Sequence, residues 1–434
     1  MCGIIGYSGP KEPLPILISG LSRLEYRGYD SAGVALIDGD NLSIEKKEGK
    51  LSVLKEHLEG TSIKGNIGIG HTRWATHGVP SDVNAHPHAD NANEFAIIHN
   101  GIIENYAELK DDLIQDDYSF ISETDTEVVA VELSRKWNGE LLDTVLDVAK
   151  SLDGTYALVV TSTKQPGTIV AGRMMSPLVL GVGEGEVFLA SDSAAILEYT
   201  NKMIFLENGD FVEINDGNFT LYDIEKNAIT RDIQVIDWEV SEAEKAGHDH
   251  FMYKEILEQA EVIERTIAGR IEKNSTEIPI HLDKAKKFEK IWIVACGTAY
   301  HAGLFGKDLF EKVLGVPVSV ELASEFRYRE PIIGRNDLAI VISQSGETMD
   351  TIAATELLKE YGSHVLAFVN VVGSSLARMA DSVFYLHVGP EIGVASTKAY
   401  LGMLVGQLLL AKHWDSNNKL DTSLLYTSPS PRDE

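Results

Sequence analysis

The chain has 434 residues, of which 44% are hydrophobic and 24% charged, enough apolar material for two or three packed domains. Its net charge of −28 at pH 7 repels polyanions, which argues against binding to nucleic acids and to anionic membranes. The two cysteines, Cys2 and Cys296, exclude a disulfide framework or a cysteine-rich zinc site. With no visible secretory signal, and with an apolar tract at 401–411 too short to span a bilayer, the sequence predicts a cytoplasmic protein.

The chain begins Met1-Cys2-Gly3, and Cys2 is small enough for Met1 to be removed. Removal would leave an α-amine, with a pKa of about 8 in peptides, on the same residue as a thiol. A thiol is nucleophilic only as a thiolate, and a neighbouring amine can take its proton and return it to a leaving group. The sequence therefore offers Cys2 as an N-terminal nucleophile. The alternative is a minor core residue.

Up to about residue 240, short apolar runs bounded by Gly, Asp or Asn alternate with a few helical patterns. Strands are predicted at 34–37, 67–70, 95–98, 157–161, 169–172, 187–190 and 211–214. Helices are predicted at about 13–24, 104–115, 124–136 and 140–150, the third opening with a capping box at Thr124–Glu127. Clustered strands with grouped helices indicate an α+β layered domain.

Three polar stretches of this region, 25–33, 71–78 and 97–101, are rich in side chains that can do chemistry. The last ends in Asn100-Gly101, and an amide side chain beside a flexible N–H is a natural oxyanion hole. Simpler interpretations exist for each. Arg73 would be an ion-pair partner, Asn100-Gly101 a turn, Asp125 a residue favoured in the first turn of a helix, and Trp74 part of the core.

Residues 241–284 are predicted to be a linker followed by a connecting helix. Apolar positions from Met252 to Ile271 step by three or four and predict a single amphipathic helix. His248 and His250 could bind a metal, but a solvated linker with two histidines is the simpler interpretation.

From residue 285 to about 420, apolar runs at 291–295, 338–342, 365–369 and 383–388 are each followed by small-residue loops. This alternation predicts an α/β domain with a parallel sheet. Three loops, at 296–300, 343–348 and 391–398, carry hydroxyl and N–H groups that can bind phosphate without a cation. Ligands of open α/β sheets bind at such strand ends, although a single Ser-rich turn is explained equally well as a helix cap. No metal or organic cofactor is expected, because neither candidate site offers a ligand cluster.

Together these pieces resemble the class II glutamine amidotransferases and, within them, the isomerising glutamine–fructose-6-phosphate aminotransferase family. The resemblance rests on the strings Met-Cys-Gly-Ile, Leu-Glu-Tyr-Arg-Gly-Tyr-Asp-Ser-Ala-Gly, His-Thr-Arg-Trp-Ala-Thr-His-Gly, Asn-Ala-His-Pro-His, His-Asn-Gly-Ile-Ile-Glu-Asn and Ser-Glu-Thr-Asp-Thr-Glu, within residues 2–240. Ser-Gln-Ser-Gly-Glu-Thr and Glu-Ile-Gly-Val-Ala-Ser-Thr-Lys resemble a sugar-isomerase (SIS) domain over 285–420. The resemblance implies an N-terminal-nucleophile hydrolase fold, with stacked antiparallel sheets between helices, followed by the parallel SIS sheet.

The resemblance also implies roles for individual residues. Cys2 would attack the side-chain amide of glutamine, while Asn100 and Gly101 hold the oxyanion. Arg73 would pair with the α-carboxylate of the substrate and Asp125 with its α-ammonium. The other implied residues of the glutamine site are Arg27, Thr76, His77 and Gly78, with Trp74 as the gate for ammonia. The implied sugar-phosphate ligands are Thr298, Ser343, Gln344, Ser345, Thr348, Val394, Ala395 and Ser396.

The activity implied is transfer of ammonia from L-glutamine to fructose 6-phosphate, which gives glucosamine 6-phosphate and glutamate. The resemblance fades after about Trp414, the tail 421–434 is unlike the family, and the family's second SIS domain, which supplies isomerisation groups, is not found. We therefore expect these 434 residues to hydrolyse glutamine without synthase turnover, and to form a homodimer through the SIS domain. Two departures are Ala299, where relatives often have Ser, and Ala260, where Pro is usual.

Two other functions remain open at this point. Another class II amidotransferase would need a pyrophosphate-binding or ATP-binding loop after residue 240, and the sequence shows neither kind. A phosphosugar sensor with an inactive amidotransferase domain would need no working Cys2. Glutamine hydrolysis separates the sensor from the enzyme.

Overall fold

The computed structural model describes residues 2–61, 63–75, 78–236, 247–272, 275–276, 278, 288–415 and 419–420. The chain divides into two compact units, Met1–Ala243 and Glu244–Glu434. Among the described helices, none combines the length and the apolar character that a membrane crossing requires. The predicted tail after residue 420 lies outside the described residues.

The first unit contains two antiparallel sheets. Its strands, in chain order, are β1 (Gly3–Ser8), β2 (Ser31–Asp38), β3 (Asn41–Glu48), β4 (Ile67–Arg73), β5 (His88–Ala89), β6 (Phe95–Ile103), β7 (Gly154–Ser162), β8 (Thr168–Met174), β9 (Val179–Val182), β10 (Val187–Ala190), β11 (Lys202–Phe205), β12 (Phe211–Asn215), β13 (Asn218–Tyr222), β14 (Ala228–Ile229) and β15 (Gln234–Val235). One sheet has the order β15-β11-β9-β10-β1-β4-β2-β3, and the other has the order β14-β13-β12-β8-β7-β6-β5.

Helices cover the outer faces of both sheets. They are α1 (Pro13–Leu24), α2 (Leu51–Leu58), α3 (Tyr106–Gln115), α4 (Asp125–Arg135) and α5 (Leu141–Ala149), with short 3-10 helices at Glu25–Arg27 and Ser193–Ala195. Side chains alternate across a strand, so Ile4 packs into the core between the sheets while Ile5 packs against α1. Likewise Ile98 faces the other sheet, and Ile97 faces α4 and α5. This four-layer arrangement confirms the predicted α+β fold of N-terminal-nucleophile hydrolase type.

Most predicted elements of this unit are present, and several are longer than predicted. Helix α1 has the predicted bounds, and β4 continues three residues past the predicted end to Arg73. At the N-terminus of α4, the Thr124 hydroxyl accepts from the N–H of Glu127, as a capping box requires. The Glu127 carboxylate, however, accepts from the N–H groups of Ile121 and Ser122, so it ties down the preceding loop instead.

The second unit is built on a parallel sheet. Its elements are α6 (Phe251–Leu257), α7 (Gln259–Ile267), β16 (Ile271–Glu272), β17 (Ser275–Thr276), β18 (Ile291–Ala295), α8 (Gly297–Leu314), β19 (Val318–Leu322), α9 (Ala323–Phe326), β20 (Leu338–Ser343), α10 (Met349–Glu360), β21 (His364–Val369), α11 (Ser375–Met379), β22 (Ser382–Tyr385) and α12 (Lys398–Trp414). Five strands form the sheet β19-β18-β20-β21-β22, and all of its pairs are parallel. The predicted α/β SIS architecture is confirmed, with edge strand β19 as an addition.

The single amphipathic helix predicted from Met252 to Ile271 is wrong. Two helices, α6 and α7, occupy this stretch, and Ile271 lies in strand β16. Met252 is 44% exposed, whereas Glu255 is only 2% exposed. The Glu255 carboxylate accepts from the N–H groups of Ile392 and Gly393, so polar contacts to a loop orient α6 and override the apolar periodicity.

Candidate active site

Residues distant in sequence converge at one end of the two sheets in the first unit. Gly3 pairs with Thr72, which places Cys2 beside the end of β4, while β6 and α4 belong to the other sheet and its helix layer. A small cavity opens at this point. It is lined by Cys2, Arg73, Trp74, His86, His99, Gly101, Thr124, Asp125 and Thr126.

The Cys2 sulfur lies against the backbone that follows β4. Its thiol is 3.6 Å from the carbonyl oxygen of Trp74, and the N–H of Trp74 donates to the sulfur at 3.3 Å. Burial raises the pKa of the Cys2 thiol above its ordinary value, although the hydrogen bond from Trp74 opposes the shift. The resting sulfur is therefore a protonated thiol near neutral pH, and it needs a base in order to become a nucleophile.

Asn100 connects the second sheet to the cysteine. Its amide nitrogen donates to the carbonyl oxygen of Cys2 at 2.9 Å, and its amide oxygen lies 3.0 Å from Nε2 of His71. The next residue, Gly101, has a φ of +134°, and a Cβ there would lie 2.0 Å from the carbonyl oxygen of Thr155. Only glycine fits this position, so the path of β6 beside Asn100 depends on it.

Arg73 and Asp125 supply opposite charges to the cavity. Arg73 is 3% exposed and donates to the carbonyl oxygen of Gly78 at 3.2 Å. Burial lowers the pKa of the guanidinium, which still titrates far above neutrality. Asp125 is 6% exposed, and its carboxylate accepts from the N–H of Ile103 at 2.9 Å. A guanidinium and a carboxylate on one cavity can hold the two charges of an α-amino acid.

Trp74 does not belong to the core. It is 40% exposed, and its ring makes an edge-on contact with Tyr29 at a centroid distance of 5.3 Å. Arg27 is buried, but it forms an ion pair of 2.6 Å with Asp192 and is not among the residues that line the cavity. The carbonyl oxygen of Gly78 accepts a hydrogen bond from Arg73, which lines the cavity. Thr76 and His77 lie outside the described residues.

Sequence reasoning missed a group of four buried histidines at the cavity, two of which, His86 and His99, line it. His71, His86, His88 and His99 are each 5% exposed or less, and the rings of His71 and His86 lie 4.3 Å apart. Burial lowers the pKa of His71 to about 3, and it lowers the pKa values of His86 and His88 well below the ordinary range. These rings are therefore neutral at physiological pH. The string Asn-Ala-His-Pro-His contains His86 and His88, but the sequence does not show which groups they contact.

Asp30 is a second residue that the sequence interpretation passed over. Its carboxylate accepts from the N–H of Ala75 at 2.8 Å, and its own N–H donates to the carbonyl oxygen of Arg73 at 3.0 Å. Both contacts hold the backbone on either side of Trp74, which contacts the cysteine sulfur. The charged stretch 25–33 thus supports the site through the backbone.

In the second unit the Ser-rich loop after β20 is internally bonded. The Ser343 hydroxyl accepts from the N–H of Gly346 at 3.1 Å and lies 2.9 Å from the Thr348 hydroxyl. Ser345 accepts from the N–H of Glu347 at 3.2 Å. Hydroxyl groups therefore cluster at the carboxyl end of a parallel strand, just before α10, where the helix dipole favours an anion.

The predicted loops of the second unit meet through residues that the sequence did not mark. The Asn370 backbone N–H donates to the carbonyl oxygen of Gln344, and its side chain bonds both Gly389 and Val388. Thr298 lies in the first turn of α8. The Thr351 hydroxyl on α10 donates to the sulfur of Cys296, the residue just before α8, at 3.9 Å. Asn370 and Thr351 thus tie together the loops after three strands.

The loop at 391–398 is held by a carboxylate of its own. Glu391 accepts from the Ser396 hydroxyl and from the N–H groups of Thr397 and Ala399, at 2.8 to 3.0 Å. Val394 and Ala395 are exposed on the same loop. Of the predicted sugar-phosphate residues, Ser396 is therefore already engaged by Glu391. Among the described residues, no group of three or more His, Cys, Asp or Glu side chains is arranged to hold a metal ion.

Two family models match the chain, one in each unit. A glutamine amidotransferase domain matches residues 56–236, and a SIS domain matches residues 284–412. Among solved structures, the C-terminal domain of glucosamine-fructose-6-phosphate aminotransferase from Francisella tularensis is 38% identical, with a TM-score of 0.38, over 42% of this chain and 53% of that one. A glutamine phosphoribosylpyrophosphate amidotransferase from B. subtilis is 19% identical, with a TM-score of 0.49, over 99% of this chain and 97% of that one.

Curated relatives match nearly the whole chain. A glutamine–fructose-6-phosphate aminotransferase [isomerizing] from Caldanaerobacter subterraneus subsp. tengcongensis is 51% identical over 415 residues, which is 95% of this chain and 68% of the relative. Proteins of the same name from Clostridium acetobutylicum and Aquifex aeolicus are 48% and 46% identical, over 98% and 99% of this chain and 70% and 72% of their own lengths. The chain therefore belongs to the isomerising glutamine–fructose-6-phosphate aminotransferase family.

Proposed function

We propose that Cys2, once Met1 has been removed, is the nucleophile that releases ammonia from glutamine in the first unit. The observation that carries this proposal is the cavity that Cys2 shares with Arg73 and Asp125, with the Asn100 amide nitrogen 2.9 Å from the Cys2 carbonyl oxygen. Together these groups supply a nucleophile, a site for each charge of the substrate and an oxyanion donor.

The reaction starts with proton transfer from the Cys2 thiol to the α-amine of the same residue. The raised pKa of the thiol makes this base necessary, because little thiolate exists at rest. The sulfur attacks the side-chain carbonyl carbon of glutamine, and the oxygen takes the negative charge, stabilised by Asn100 and the Gly101 backbone. Collapse expels ammonia, which carries away the proton held by the amine. Water then hydrolyses the thioester, giving glutamate and the thiol.

Substrate recognition follows from the two charges in the cavity. Arg73 pairs with the α-carboxylate of glutamine and Asp125 with its α-ammonium, while the side-chain amide reaches Cys2. Both partners are almost fully buried, which strengthens charge-assisted hydrogen bonds relative to those on the surface. Gly78, Thr76 and His77 complete the pocket in this proposal, and Trp74 gates the exit of ammonia. Arg27 supports the wall indirectly, through its ion pair with Asp192.

The second unit supplies the acceptor site, and fructose 6-phosphate is the proposed acceptor. Support comes from the hydroxyl cluster of Ser343, Ser345 and Thr348 at the N-terminus of α10 and from the names of the curated relatives. The other sugar-phosphate residues proposed are Thr298, Gln344, Val394, Ala395 and Ser396. The family reaction then yields glucosamine 6-phosphate and glutamate in the cytoplasm, from a homodimer paired through SIS domains.

The 434 residues by themselves are proposed to hydrolyse glutamine and to form little or no glucosamine 6-phosphate. The first unit brings the groups proposed for hydrolysis together at Cys2, Asn100, Arg73 and Asp125. This chain spans 68 to 72% of the lengths of the curated relatives.

The test is to measure glutamate, ammonia and glucosamine 6-phosphate formation by the 434-residue chain, with the mass of its N-terminus determined in parallel. We expect glutamate and ammonia in equal amounts from protein that lacks Met1, and none from Cys2→Ala or from protein that retains Met1. Hydrolysis by Cys2→Ala would point to another nucleophile and overturn the proposal. Robust glucosamine 6-phosphate formation would overturn the restriction to hydrolysis.

A further inference from the structure

His71 contacts the proposed oxyanion donor from the side opposite Cys2. It lies on β4, is completely buried, and has no role in the chemistry described above. Its Nε2 atom is 3.0 Å from the backbone carbonyl oxygen of His99 and 3.0 Å from Oδ1 of Asn100. The imidazole therefore touches both the strand that carries Asn100 and the amide itself.

These contacts determine where the imidazole proton lies. A backbone carbonyl only accepts hydrogen bonds, so Nε2 of His71 must carry a hydrogen in order to bond to His99. A neutral imidazole has a single N–H, which leaves Nδ1 unprotonated. Burial keeps the ring neutral, and Nδ1 is buried without a hydrogen-bond partner, so no contact competes for the other tautomer.

The same reasoning determines the orientation of the Asn100 amide. Because Nε2 of His71 donates, the Asn100 atom facing it must be the amide oxygen. On the opposite side the amide faces the carbonyl oxygen of Cys2, which requires the amide nitrogen. A flipped amide would place two donors together at His71 and two acceptors together at Cys2. The orientation of the amide is thus constrained from both ends by backbone carbonyls.

We propose that His71 is a positioning residue of the glutamine site, holding the Asn100 amide with its N–H groups toward the cysteine through a hydrogen bond donated by Nε2. This inference rests on the proposed glutamine hydrolysis. An amide nitrogen carries two hydrogens, one of which goes to the Cys2 carbonyl and the other to the substrate oxyanion. The contribution of an oxyanion donor depends on its being oriented before the charge develops.

The groups around His71 keep its ring in the donor tautomer. The ring of His86 lies 4.3 Å away on one side, and the charged or titratable groups around His71 are Arg73, His86, His88 and His99. None of these offers a carboxylate that would protonate the ring. The donor tautomer is therefore maintained throughout the pH range in which glutamine hydrolysis would be assayed.

The experiment compares His71→Gln with His71→Met in the full 434-residue chain. The glutamine amide nitrogen can replace Nε2 as a donor, whereas methionine fills similar volume without an N–H. We expect His71→Met to lower kcat for glutamine hydrolysis roughly 10- to 100-fold, less than the loss of a direct oxyanion donor, with KM changed less than about threefold. His71→Gln should retain kcat within about fivefold of the unsubstituted chain.

The controls separate positioning from folding. His57→Gln, a substitution on the half-exposed face of α2, should leave kcat unchanged. The rate of Cys2 alkylation by iodoacetamide should be the same in His71→Met as in the unsubstituted chain, because the thiol and its contacts to Trp74 remain. An unchanged kcat in His71→Met, or equal losses in His71→Met and His71→Gln, would overturn the inference.

A measurement without activity keeps this result independent of the proposed function. With histidine labelled by ¹⁵N, the imidazole nitrogen shifts of His71 should show a proton on Nε2 and none on Nδ1, and the Asn100 side-chain amide signal should move in His71→Met. A proton on Nδ1 would refute the positioning role even if Cys2 hydrolyses glutamine. Conversely, activity in Cys2→Ala would refute the proposed nucleophile and leave the tautomer result standing.

Discussion

The amide nitrogen of Asn100 donates a hydrogen bond of 2.9 Å to the carbonyl oxygen of Cys2, across 98 positions of sequence. Asn100 belongs to β6 in the seven-stranded sheet, and Cys2 precedes β1 in the eight-stranded sheet. The candidate site therefore exists only where the two sheets stack. Packing between the sheets, which places Ile4 and Ile98 in one core, is what brings nucleophile and amide together.

Replacement of Gly101 by alanine should destabilise the first unit and abolish glutamine hydrolysis. The new Cβ would lie 2.0 Å from the carbonyl oxygen of Thr155 at a φ of +134°, so the β6 backbone beside Asn100 must shift. Gly139→Ala is the matched control, because Gly139 also has a positive φ, +108°, but no atom within 4 Å of the new Cβ. The control should cost about 1–2 kcal/mol in unfolding free energy and keep its activity. Equal urea midpoints for the two variants would contradict the argument.

Arg73→Gln should raise KM for glutamine more than it lowers kcat. The substitution removes a buried cation proposed to pair with the α-carboxylate, and such a hydrogen bond contributes about 1.5–3 kcal/mol, or roughly 10- to 100-fold. Steady-state kinetics with glutamine measure the effect. Lys150→Gln removes a cation from an exposed ion pair with Glu225 and should leave both constants unchanged. A loss of kcat alone would assign Arg73 a role other than substrate binding.

The first unit should lose stability as the pH falls below about 6.5. Burial lowers the pKa values of His71, His86 and His88, and that of His71 falls to about 3. The folded state therefore keeps these rings neutral while the unfolded chain takes up protons below pH 6.5, so unfolding becomes more favourable as pH decreases. Each histidine contributes up to about 1.4 kcal/mol per pH unit in that window.

Hydrogen exchange of the β4 amides at pH 7.5, 6.5 and 5.5, corrected for intrinsic rates, measures this pH dependence. His88→Gln should flatten the slope by about one proton, since glutamine can keep the contact to the Thr124 hydroxyl without titrating. A protection factor that is constant from pH 7.5 to 5.5 would show that the rings are not held neutral.

Ser343→Ala should weaken fructose 6-phosphate binding by roughly 10-fold, the usual cost of one hydrogen bond to a charged group. The Ser343 hydroxyl also accepts from Gly346, so the loop before α10 should loosen. Calorimetric titration with fructose 6-phosphate and with inorganic phosphate measures both affinities. Ser319→Ala on edge strand β19 of the same sheet is the control and should bind both ligands normally. Unchanged affinity in Ser343→Ala would remove this loop from the proposed phosphate site.

Several parts of the fold could be predicted from local patterns. The strand of 291–295 has the predicted bounds because it is buried on both faces and reads as a continuous apolar run. Strand β1 was not predicted, since Gly3 and Gly6 interrupt its apolar pattern and the pairing with β4 and β10 supplies its stability. Helix α6 was assigned the wrong face, because Glu255 is buried by hydrogen bonds to residues 137 and 138 positions away.

The residues of the candidate site likewise include some that local sequence revealed and one, His71, that it did not. The types of residue that could carry the chemistry, such as Cys2, Arg73 and Asp125, were recognisable because each sits in a short string with its own local signature. His71 was not, because a histidine in a strand has no function that can be assigned until its partners are known. Those partners, Asn100 and the His99 carbonyl, lie 29 and 28 positions away on the other sheet.

By itself the sequence determined most of the elements, the fold class of each unit and the reactive groups, because these follow from hydrophobic periodicity, turn residues and side-chain chemistry within a few positions. Only the tertiary structure decided that Cys2, Arg73 and Asp125 line one cavity, that the Asn100 amide bonds to Cys2 beside it, and that His71, His86 and His88 are neutral. The physical reason is that hydrogen bonds and desolvation act over a few ångströms, between strands that sequence separation keeps far apart. The orientation of the Asn100 amide is the clearest case, since two backbone carbonyls from different sheets set it.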